Sequence, residues 1–396
     1  MGLTGAASAG AAVQVPGARA QTLGHDEKAA ASGLLTMFLC GDVMLGRGID
    51  QILPHPGDPE LHEPYVRSAT TYVELAEAAH GPIPRSVDHA YVWGDALDAL
   101  RRLEVPVRII NLETSITVSD DFAPKGINYK MHPANVGVLT IARIDCCVLA
   151  NNHVLDWGYS GLLETLETLE QAGIQSTGAG RNAEQAAAPA ILDASHARVL
   201  VFAFGTVSSG IPHAWAAKAD RPGINLLPDL SEATVAHIAA RVEGVRRPGD
   251  LLVASIHWGG NWGYEIPPAQ TVFAHGLIDQ AGFDVIHGHS SHHAKAIEIY
   301  RDRPVLYGCG DFLNDYEGIT GKEEFRDDLA VMYLPVFQAG GDLTAFPLEV
   351  FQIRMFRLQR ASPGDTLWLQ ATLDRESRQR GTRVEWRGDN RLAVVW

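Results

Sequence analysis

Short apolar runs, each closed by glycine or by polar residues, recur along the chain from residue 35 onward. Seven such runs are LLTMFLCGD, PVRIINLE, IDCCVLANNH, ARVLVFAFG, DLLVASIHWG, FDVIHGHSSHH and PVLYGCGDF. Runs of this length and pattern are typical of buried strands. Amphipathic segments at residues 159–172 and 266–282 lie between some of them and predict helices. This alternation favours an α/β fold built in layers.

Polar residues are concentrated where the apolar runs end. Five runs end in a cluster of Gly, Asp, Asn, Glu or His. Ligands of α/β proteins bind outside the carboxyl ends of the strands. We therefore expect side chains from five distant segments to converge on one site.

The remaining segments predict the organisation around this pattern. Residues 1–33 are rich in Ala and Gly, and we expect a disordered leader there. Residues 34–396 are expected to form a single catalytic domain. A long insertion at about 53–92 is interpreted as a lid or pocket wall, because connections of this length are usually functional. Strand-like runs in the tail (LEVFQIRMF, RVEWRG and RLAVVW) are expected to extend a sheet of the same domain.

Composition limits the partners and the compartment. The 396 residues include 32 Lys and Arg against 47 Asp and Glu, a net charge of −15. Such a chain repels nucleic acid and anionic lipid, although a bound metal could still attract an anionic substrate. No window approaches eighteen apolar residues, so we expect no membrane partner. Four cysteines without CxxC spacing predict reduced thiols, and hence a cytoplasmic protein.

The polar residues at the strand ends predict a metal site. Carboxylate, amide oxygen and imidazole are ligands for Mn, Fe, Zn, Mg or Ca rather than for soft copper. A lone Gly-Asp or a lone buried His has a structural explanation, but five such segments in order are harder to explain that way. We predict one or two divalent ions bound by Asp42, Glu113, Asn152, His257, His289 and His292.

Six stretches give the chain a family resemblance. They are GDVMLGRG (41–48), INLETSIT (110–117), LANNHVLDWGYSG (149–161), AGIQSTGAGRN (172–182), SIHWGGNWGY (255–264) and GHSSHHAKAIEIYRDRPVLYGCGDFLND (288–315). With them the chain resembles the CapA-type family of poly-γ-glutamate capsule biosynthesis, within the calcineurin-like metallo-dependent phosphatase superfamily. The resemblance implies a four-layer α/β/β/α sandwich.

The resemblance also implies a role for each matching residue. Asp42 takes the first metal-binding Asp, and Glu113 takes the place of the carboxylate that bridges two metals. The metal-binding Asn and the acid His that follows it correspond to Asn152 and His153. The remaining histidine ligands correspond to His257, His289 and His292. Met44 stands where the superfamily has a further histidine, which puts a full two-metal phosphatase centre in doubt.

Other residues near these motifs are candidates for substrate binding. Arg47 and Lys130 could each anchor a carboxylate or phosphate, the alternative being a solvated surface cation. Trp258 and Trp262 follow His257 and predict either a pocket wall or ordinary core. His293 is either a neighbour of the metal site or an acid/base group.

Three functions are compatible with such a site. The leading hypothesis is epimerisation at the Cα of the C-terminal residue of a lasso-peptide precursor, because an epimerase of that kind resembles this family. His153, His293 or the metal-bound Asp42 would then exchange the proton, and the precursor peptide would be the partner. The alternatives are a role in poly-γ-glutamate capsule synthesis and phosphoester hydrolysis. Beside these three stands a non-enzymatic interpretation, a metal-stabilised binding protein for a polyanion or peptide. The sequence leaves the oligomeric state open.

Overall fold

The structure of the protein, a computed structural model, describes residues 1–2, 33–194 and 197–396. Helices and strands alternate from residue 34 to about residue 290, as the apolar pattern predicts. The α-helices in the described residues are α1 (Gly48–Ile52), α2 (Thr70–His80), α3 (Asp95–Arg102), α4 (Gly137–Ile141), α5 (Gly158–Gln171), α6 (Ala183–Ala187), α7 (Glu232–Glu243), α8 (Pro268–Ala281) and α9 (Pro363–Arg378). The predicted helices at 159–172 and 266–282 correspond to α5 and α8.

Strands occupy the segments between the helices and most of the tail. They are β1 (Leu34–Val43), β2 (Val107–Leu112), β3 (Ser115–Ile116), β4 (Lys130–Met131), β5 (Cys146–Val148), β6 (Gln175–Thr177), β7 (Ala179–Gly180), β8 (Ala190–Ala194), β9 (Ala197–Gly205), β10 (Gly223–Ile224), β11 (Leu251–His257), β12 (Val285–His289), β13 (Ile297–Tyr300), β14 (Arg303–Leu306), β15 (Asp311–Leu313), β16 (Leu329–Tyr333), β17 (Val336–Gln338), β18 (Leu343–Ala345), β19 (Pro347–Arg354), β20 (Arg357–Arg360), β21 (Arg383–Trp386) and β22 (Arg391–Val395).

The strands form two large sheets. The larger has the order β21-β22-β19-β16-β1-β2-β5-β6, with β15 and β17 also paired to β1, β18 to β17, and β20 to β19. The smaller has the order β13-β14-β12-β11-β9-β8. Within them β1, β2, β5 and β6 are parallel, and so are β9, β11, β12 and β14. The carboxyl ends of these parallel strands carry the polar clusters noted in the sequence.

Alternating residues of the smaller sheet face two different cores. Val199 and Val201 of β9 belong to the large core that also contains β1, β2 and β5 of the larger sheet. Leu200 and Phe202 point the other way and pack with residues of α7 and α8. Residues of α3, α4 and α5 pack into the large core with the larger sheet. The order of layers is therefore helix, sheet, sheet, helix, which confirms the predicted α/β/β/α sandwich.

The seventh apolar run, PVLYGCGDF, was predicted as one strand but contributes to two. Its first half, β14, pairs with β12 in the smaller sheet, while its second half, β15, pairs with β1 in the larger sheet. The chain crosses between the sheets at residues 307–310, where Gly310 has a φ of +75°. A continuous apolar run cannot by itself show such a crossing, because both halves are buried.

The tail and the insertion follow the sequence pattern in part. The tail runs form β19 to β22 in the larger sheet, as predicted, but the amphipathic helix α9 between them was not predicted. Residues 53–92 contain α2. The predicted leader falls almost wholly outside the described residues, and its disorder stays a prediction. No helix in the described ranges is long and apolar enough to cross a bilayer.

Candidate metal centre

Two Gly-Asp pairs lie side by side at the carboxyl edge of the larger sheet. Asp42 of β1 is in register with Asp311 of β15, and the Asp42 amide donates a hydrogen bond to the Gly310 carbonyl at 3.0 Å. A Cβ on Gly41 would lie 1.7 Å from the Gly310 oxygen, so only glycine permits this approach. The close backbone contact therefore brings the two carboxylates together.

Asp42 belongs to two groups of buried side chains that could each hold a cation. In the first group, ligand atoms of Asp42, His257 and His289 lie within 4.8 Å of one another. In the second, Asp42 is joined by His292 and Asp311 at the same spacing. Asp42 is thus the residue common to both groups, the position that the family resemblance assigns to Glu113.

A chain of hydrogen bonds in the smaller sheet fixes the tautomer of His289. Burial lowers the pKa of His287 to about 4, so its imidazole is neutral. Its Nε2 donates to the Cys40 carbonyl at 2.7 Å, so Nδ1 must accept the Ser255 hydroxyl proton at 3.0 Å. The Ser255 oxygen then accepts from His289 Nε2 at 2.9 Å. A neutral His289 is left with a lone pair on Nδ1.

His257 presents a second lone pair to the same point. Burial, with His153 nearby, lowers the pKa of His257 well below its usual value, so its ring is also neutral. Its Nε2 donates to the Asn152 side-chain oxygen at 2.9 Å, which leaves Nδ1 unprotonated. The two Nδ1 atoms of His257 and His289 lie 2.7 Å apart. Two lone pairs at that distance repel each other, and a cation removes the repulsion because both can bind it.

The carboxylates of the centre also fit a cation. Asp42 Oδ2 is buried without a hydrogen-bond partner, while Asn111 donates to Oδ1 at 2.8 Å. Burial, and then the neighbouring Asp311, raise the pKa of Asp42 to about 7. Burial and Asp42 likewise raise the pKa of Glu113 well above its usual value. A divalent cation would supply the positive charge that favours the ionised carboxylates.

Glu113 and Asn152, two further predicted ligands, lie beside His257 of the first group. Glu113 Oε1 is 3.7 Å from His257 Nε2 and 3.8 Å from His153 Nε2, on the Nε2 side of the His257 ring. Asn152 contacts that same Nε2. The six predicted ligands are therefore brought together, but Glu113 and Asn152 border the first group rather than form part of it.

His292 is tied to the second group through Asp311. Its Nδ1 lies 2.9 Å from Asp311 Oδ1, and its Nε2 lies 3.0 Å from the Asn261 side-chain nitrogen. Burial lowers the pKa of His292, but the carboxylates of Asp311, Asp42 and Asp327 together outweigh burial and raise it overall. Asn314 donates to the other Asp311 oxygen at 2.8 Å. The second group is thus held by partners on both sides.

His153 stands beside the centre as a neutral base. Its Nδ1 donates to Asp156 Oδ2 at 2.6 Å, and burial lowers its pKa to about 4. Its Nε2 therefore keeps a lone pair on the side facing Glu113. Lys125, which the sequence did not single out, forms an ion pair with Asp156 at 2.6 Å and contacts the Asn152 carbonyl. Lys125 thereby fixes the loop that carries Asn152 and His153.

Arg47 was predicted to anchor a substrate carboxylate or phosphate, but in the structure it pairs with two carboxylates of the protein itself. Its guanidinium is buried, donates to both oxygens of Asp315 at 2.5 and 3.1 Å, and donates to Glu63 at 3.0 Å. The guanidinium carbon Cζ of Arg47 also lies 3.8 Å from the centre of the Tyr72 ring. Glu63 and Tyr72 belong to the 53–92 insertion. The structure therefore uses Arg47 to fasten the insertion to the loop after β15, and no substrate anion is needed to balance its charge.

The remaining predicted residues lie around the centre rather than in it. Lys130 is almost buried against Trp157 and 3.4 Å from Asp120. Trp258 packs in the core of the smaller sheet and donates to the Tyr307 carbonyl at 3.0 Å, which agrees with the ordinary-core alternative rather than with a pocket wall. Trp262 is half-buried, with its ring 5.4 Å from the His292 ring.

His293 is enclosed away from the two groups. Its ring stacks on Phe325 at 4.7 Å and on Trp262 at 6.2 Å, and its Nδ1 donates to the Ala294 carbonyl at 3.3 Å. Burial lowers its pKa to about 4. The interpretation of His293 as a neighbour of the metal site agrees with this position better than a proton-transfer role does.

Several side chains of the site were missed in the sequence, among them Asp311, Asn111 and Lys125. Asp311 had a visible signal, since GCGDF repeats the Gly-Asp of LCGDV at the end of another apolar run. Asn111 also had a signal, since it belongs to the Asn-Leu-Glu that ends PVRIINLE, whereas Lys125 lies in a polar loop without a distinguishing pattern.

Comparisons with known proteins identify the family of the chain. The family model described as bacterial capsule synthesis protein PGA_cap matches residues 36–316. A Mycobacterium tuberculosis protein named "Probable polyglutamine synthesis accessory protein" is 51% identical over 366 residues, covering 91% of this chain and 96% of that protein.

Two Bacillus proteins are more distant relatives. The PGA biosynthesis protein CapA of B. subtilis is 25% identical, over 82% of this chain and 74% of its own. The capsule biosynthesis protein CapA of B. anthracis is 23% identical, over 76% of this chain and 63% of its own. These matches support the capsule alternative rather than the peptide-epimerase hypothesis. The chain belongs to the bacterial capsule synthesis (PGA_cap, CapA-type) family.

Proposed function

We propose that the protein is a metal-dependent accessory enzyme in the synthesis of a glutamate- or glutamine-based polymer, and that it cleaves amide bonds of that polymer. The observation that carries the proposal is the pair of cation-binding groups that share Asp42, next to a neutral histidine. The substrate class is inferred from the names of the relatives, which refer to polyglutamine and capsule synthesis.

The metal would be held by Asp42 with His257 and His289, and by Asp42 with His292 and Asp311. A divalent cation in such a site supplies positive charge to a substrate carbonyl or carboxylate oxygen. This contribution matters for an acidic polymer, because the chain itself carries a net charge of −15. Without bound cations, the buried carboxylates would repel the substrate.

His153 is the group that we assign to proton transfer. The Asp156 carboxylate orients its ring and holds the proton on Nδ1, so the free Nε2 can take a proton from water and return it to a leaving amine. The Lys125–Asp156 ion pair keeps that carboxylate in place. This arrangement supports a hydrolytic role without requiring a second base on the opposite face, which epimerisation would need.

The test is a cleavage assay on two polymers. The purified protein, loaded in turn with Mn²⁺, Zn²⁺ or Ca²⁺, is incubated in deuterated water with poly-γ-glutamate and with an α-linked polyglutamine peptide. Mass spectrometry then reports both chain length and deuterium at Cα. We expect shortened chains that depend on metal and on His257, with His237→Ala, an exposed histidine of α7, as the matched control.

Each outcome of that assay decides between functions. Shortened chains with wild type and His237→Ala, but not with His257→Ala, support the proposal. Deuterium at Cα without shortening would overturn it in favour of epimerisation. Unchanged polymers with every metal would exclude amide cleavage of these substrates.

A further inference from the structure

Tyr316 brings a hydroxyl group to the second cation-binding group. It follows β15 on the loop fastened by Arg47, and its ring lies edge-on to His292 with centroids 5.2 Å apart. Its hydroxyl oxygen is 3.5 Å from His292 Nε2 and 3.9 Å from Met44 Sδ. The hydroxyl thus borders the place where Met44 replaces the histidine of the wider superfamily.

The hydrogen bonds leave the Tyr316 proton without a strong acceptor. Tyr129 donates its own hydroxyl proton to the Tyr316 oxygen at 3.2 Å. The Tyr316 proton then has two acceptors, a thioether sulfur, which is a weak one, and a ring nitrogen at the limit of hydrogen-bond distance. That ring nitrogen already has Asn261 at 3.0 Å. A donor in this position is available to an incoming oxygen atom.

Surrounding residues fix the position of the hydroxyl. The Arg47 guanidinium lies 4.4 Å from the Tyr129 ring centre and 5.9 Å from that of Tyr316. Met44 itself has no hydrogen to donate, so Tyr316 supplies the hydrogen-bond donor on this side of the centre.

A cavity adjoins Tyr316 and Asn314, and both residues contact members of the second group. Tyr316 lines a cavity of about 240 Å³ together with Asn314 and Asp327. Asn314 also donates to Asp311 of the second group. Asn314 therefore links the wall of the cavity to the Asp311 carboxylate, which belongs to the group beside the Tyr316 hydroxyl.

We propose that the Tyr316 hydroxyl donates a hydrogen bond to a substrate oxygen held at the Asp42–His292–Asp311 group. The identity of that substrate rests on the proposed function, but the role of the hydroxyl does not. A hydrogen bond to a charged oxygen contributes enough that its loss lowers affinity by about 10-fold or more. Tyr316 would be a catalytic residue, while Tyr129 and Arg47 would be positioning residues.

The test uses inorganic phosphate as an oxygen ligand for the metal-loaded, full-length protein. Tyr316→Phe keeps the ring and removes the hydroxyl. Tyr300→Phe is the control, because that hydroxyl donates to Asp279 on α8 at 2.9 Å, away from the centre. Bound metal is counted by mass spectrometry, and phosphate affinity is measured by calorimetry. We expect Tyr316→Phe to keep its metal and to lose phosphate affinity by about 10-fold or more, with Tyr300→Phe unchanged.

The other results would overturn the inference. Loss of metal from Tyr316→Phe would make the hydroxyl a metal ligand or a structural element. Unchanged phosphate affinity, or a metal-loaded wild type that binds no phosphate, would show that no ligand oxygen meets this donor. Failure of the proposed function can be told apart from failure of this inference. In the first case the polymers stay intact, while Tyr316→Phe still loses phosphate affinity.

Discussion

Asp42 and Asp311 lie in register on adjacent parallel strands, each as the second residue of a Gly-Asp pair. The contact between Gly41 and Gly310 brings the strands close enough for both carboxylates to face one centre. Asp42 is shared by the two groups that could hold a cation. The candidate metal site therefore depends on a backbone contact as much as on its ligands.

Replacement of Asp42 should remove metal from both groups. Asp42→Asn keeps the shape of the side chain but removes the charge, so we expect the bound metal to fall to about a tenth or less. In metal-free protein the same change should raise the melting temperature, because it relieves the repulsion between Asp42 and Asp311. Metal analysis and thermal unfolding with and without chelator measure both effects. Asp279→Asn on α8 is the control, and equal metal content in the two variants would contradict the assignment.

Ser255 should affect metal binding although it is not a ligand. Its hydroxyl accepts from His289 Nε2 and thereby directs the Nδ1 lone pair of that ring toward the centre. We expect Ser255→Ala to weaken metal affinity by about 10- to 100-fold, as is usual for residues that orient a ligand. A metal titration followed by calorimetry measures the change.

Ser290→Ala is the matched control for that titration. Ser290 directly follows His289 in the histidine-rich loop, but its hydroxyl donates to the Gly259 carbonyl at 3.2 Å. Wild-type metal affinity in Ser255→Ala would show that the hydrogen-bond chain does not set the tautomer of His289.

The sequence predicts the layers and most of the ligands for a physical reason. Buried parallel strands leave continuous apolar runs, and their carboxyl ends are where polar residues collect, so Asp42, His257 and His289 stand out. Pairing between distant strands leaves no such trace, and the crossing at Gly310 that places Asp311 beside Asp42 was not predicted. The role of Arg47 was missed for the same reason, because its partners Glu63 and Asp315 lie far apart in the chain.

Gly41 should tolerate no side chain. A Cβ there would meet the Gly310 oxygen at 1.7 Å, so Gly41→Ala must separate β1 from β15. We expect the free energy of unfolding to fall by about 3 kcal/mol or more, together with weaker metal binding. Gly260→Ala, where a Cβ meets nothing within 4 Å, should leave stability unchanged or slightly raised. Denaturant unfolding of both variants decides the point, and equal stability would refute the close contact.

Replacement of Arg47 should lower the free energy of unfolding and loosen the insertion at residues 53–92. Arg47→Gln leaves the buried carboxylates of Glu63 and Asp315 without their cation, which costs about 3 kcal/mol or more. Limited proteolysis should then cut within residues 53–92 sooner than in wild type. Arg301→Gln, whose ion pair with Asp279 is exposed, should behave as wild type. If Arg47→Gln is as stable as wild type, the ion pairs do not hold the insertion.

An anomalous diffraction map of crystals soaked in Mn²⁺ would locate the cations at Asp42 directly. The structure predicts a cation within about 2.0–2.6 Å of the Nδ1 atoms of His257 and His289 and of an Asp42 oxygen. A second peak is expected where Asp42, His292 and Asp311 meet. A map without a peak at Asp42, or with Mn²⁺ bound only at residues outside both groups, would contradict the account.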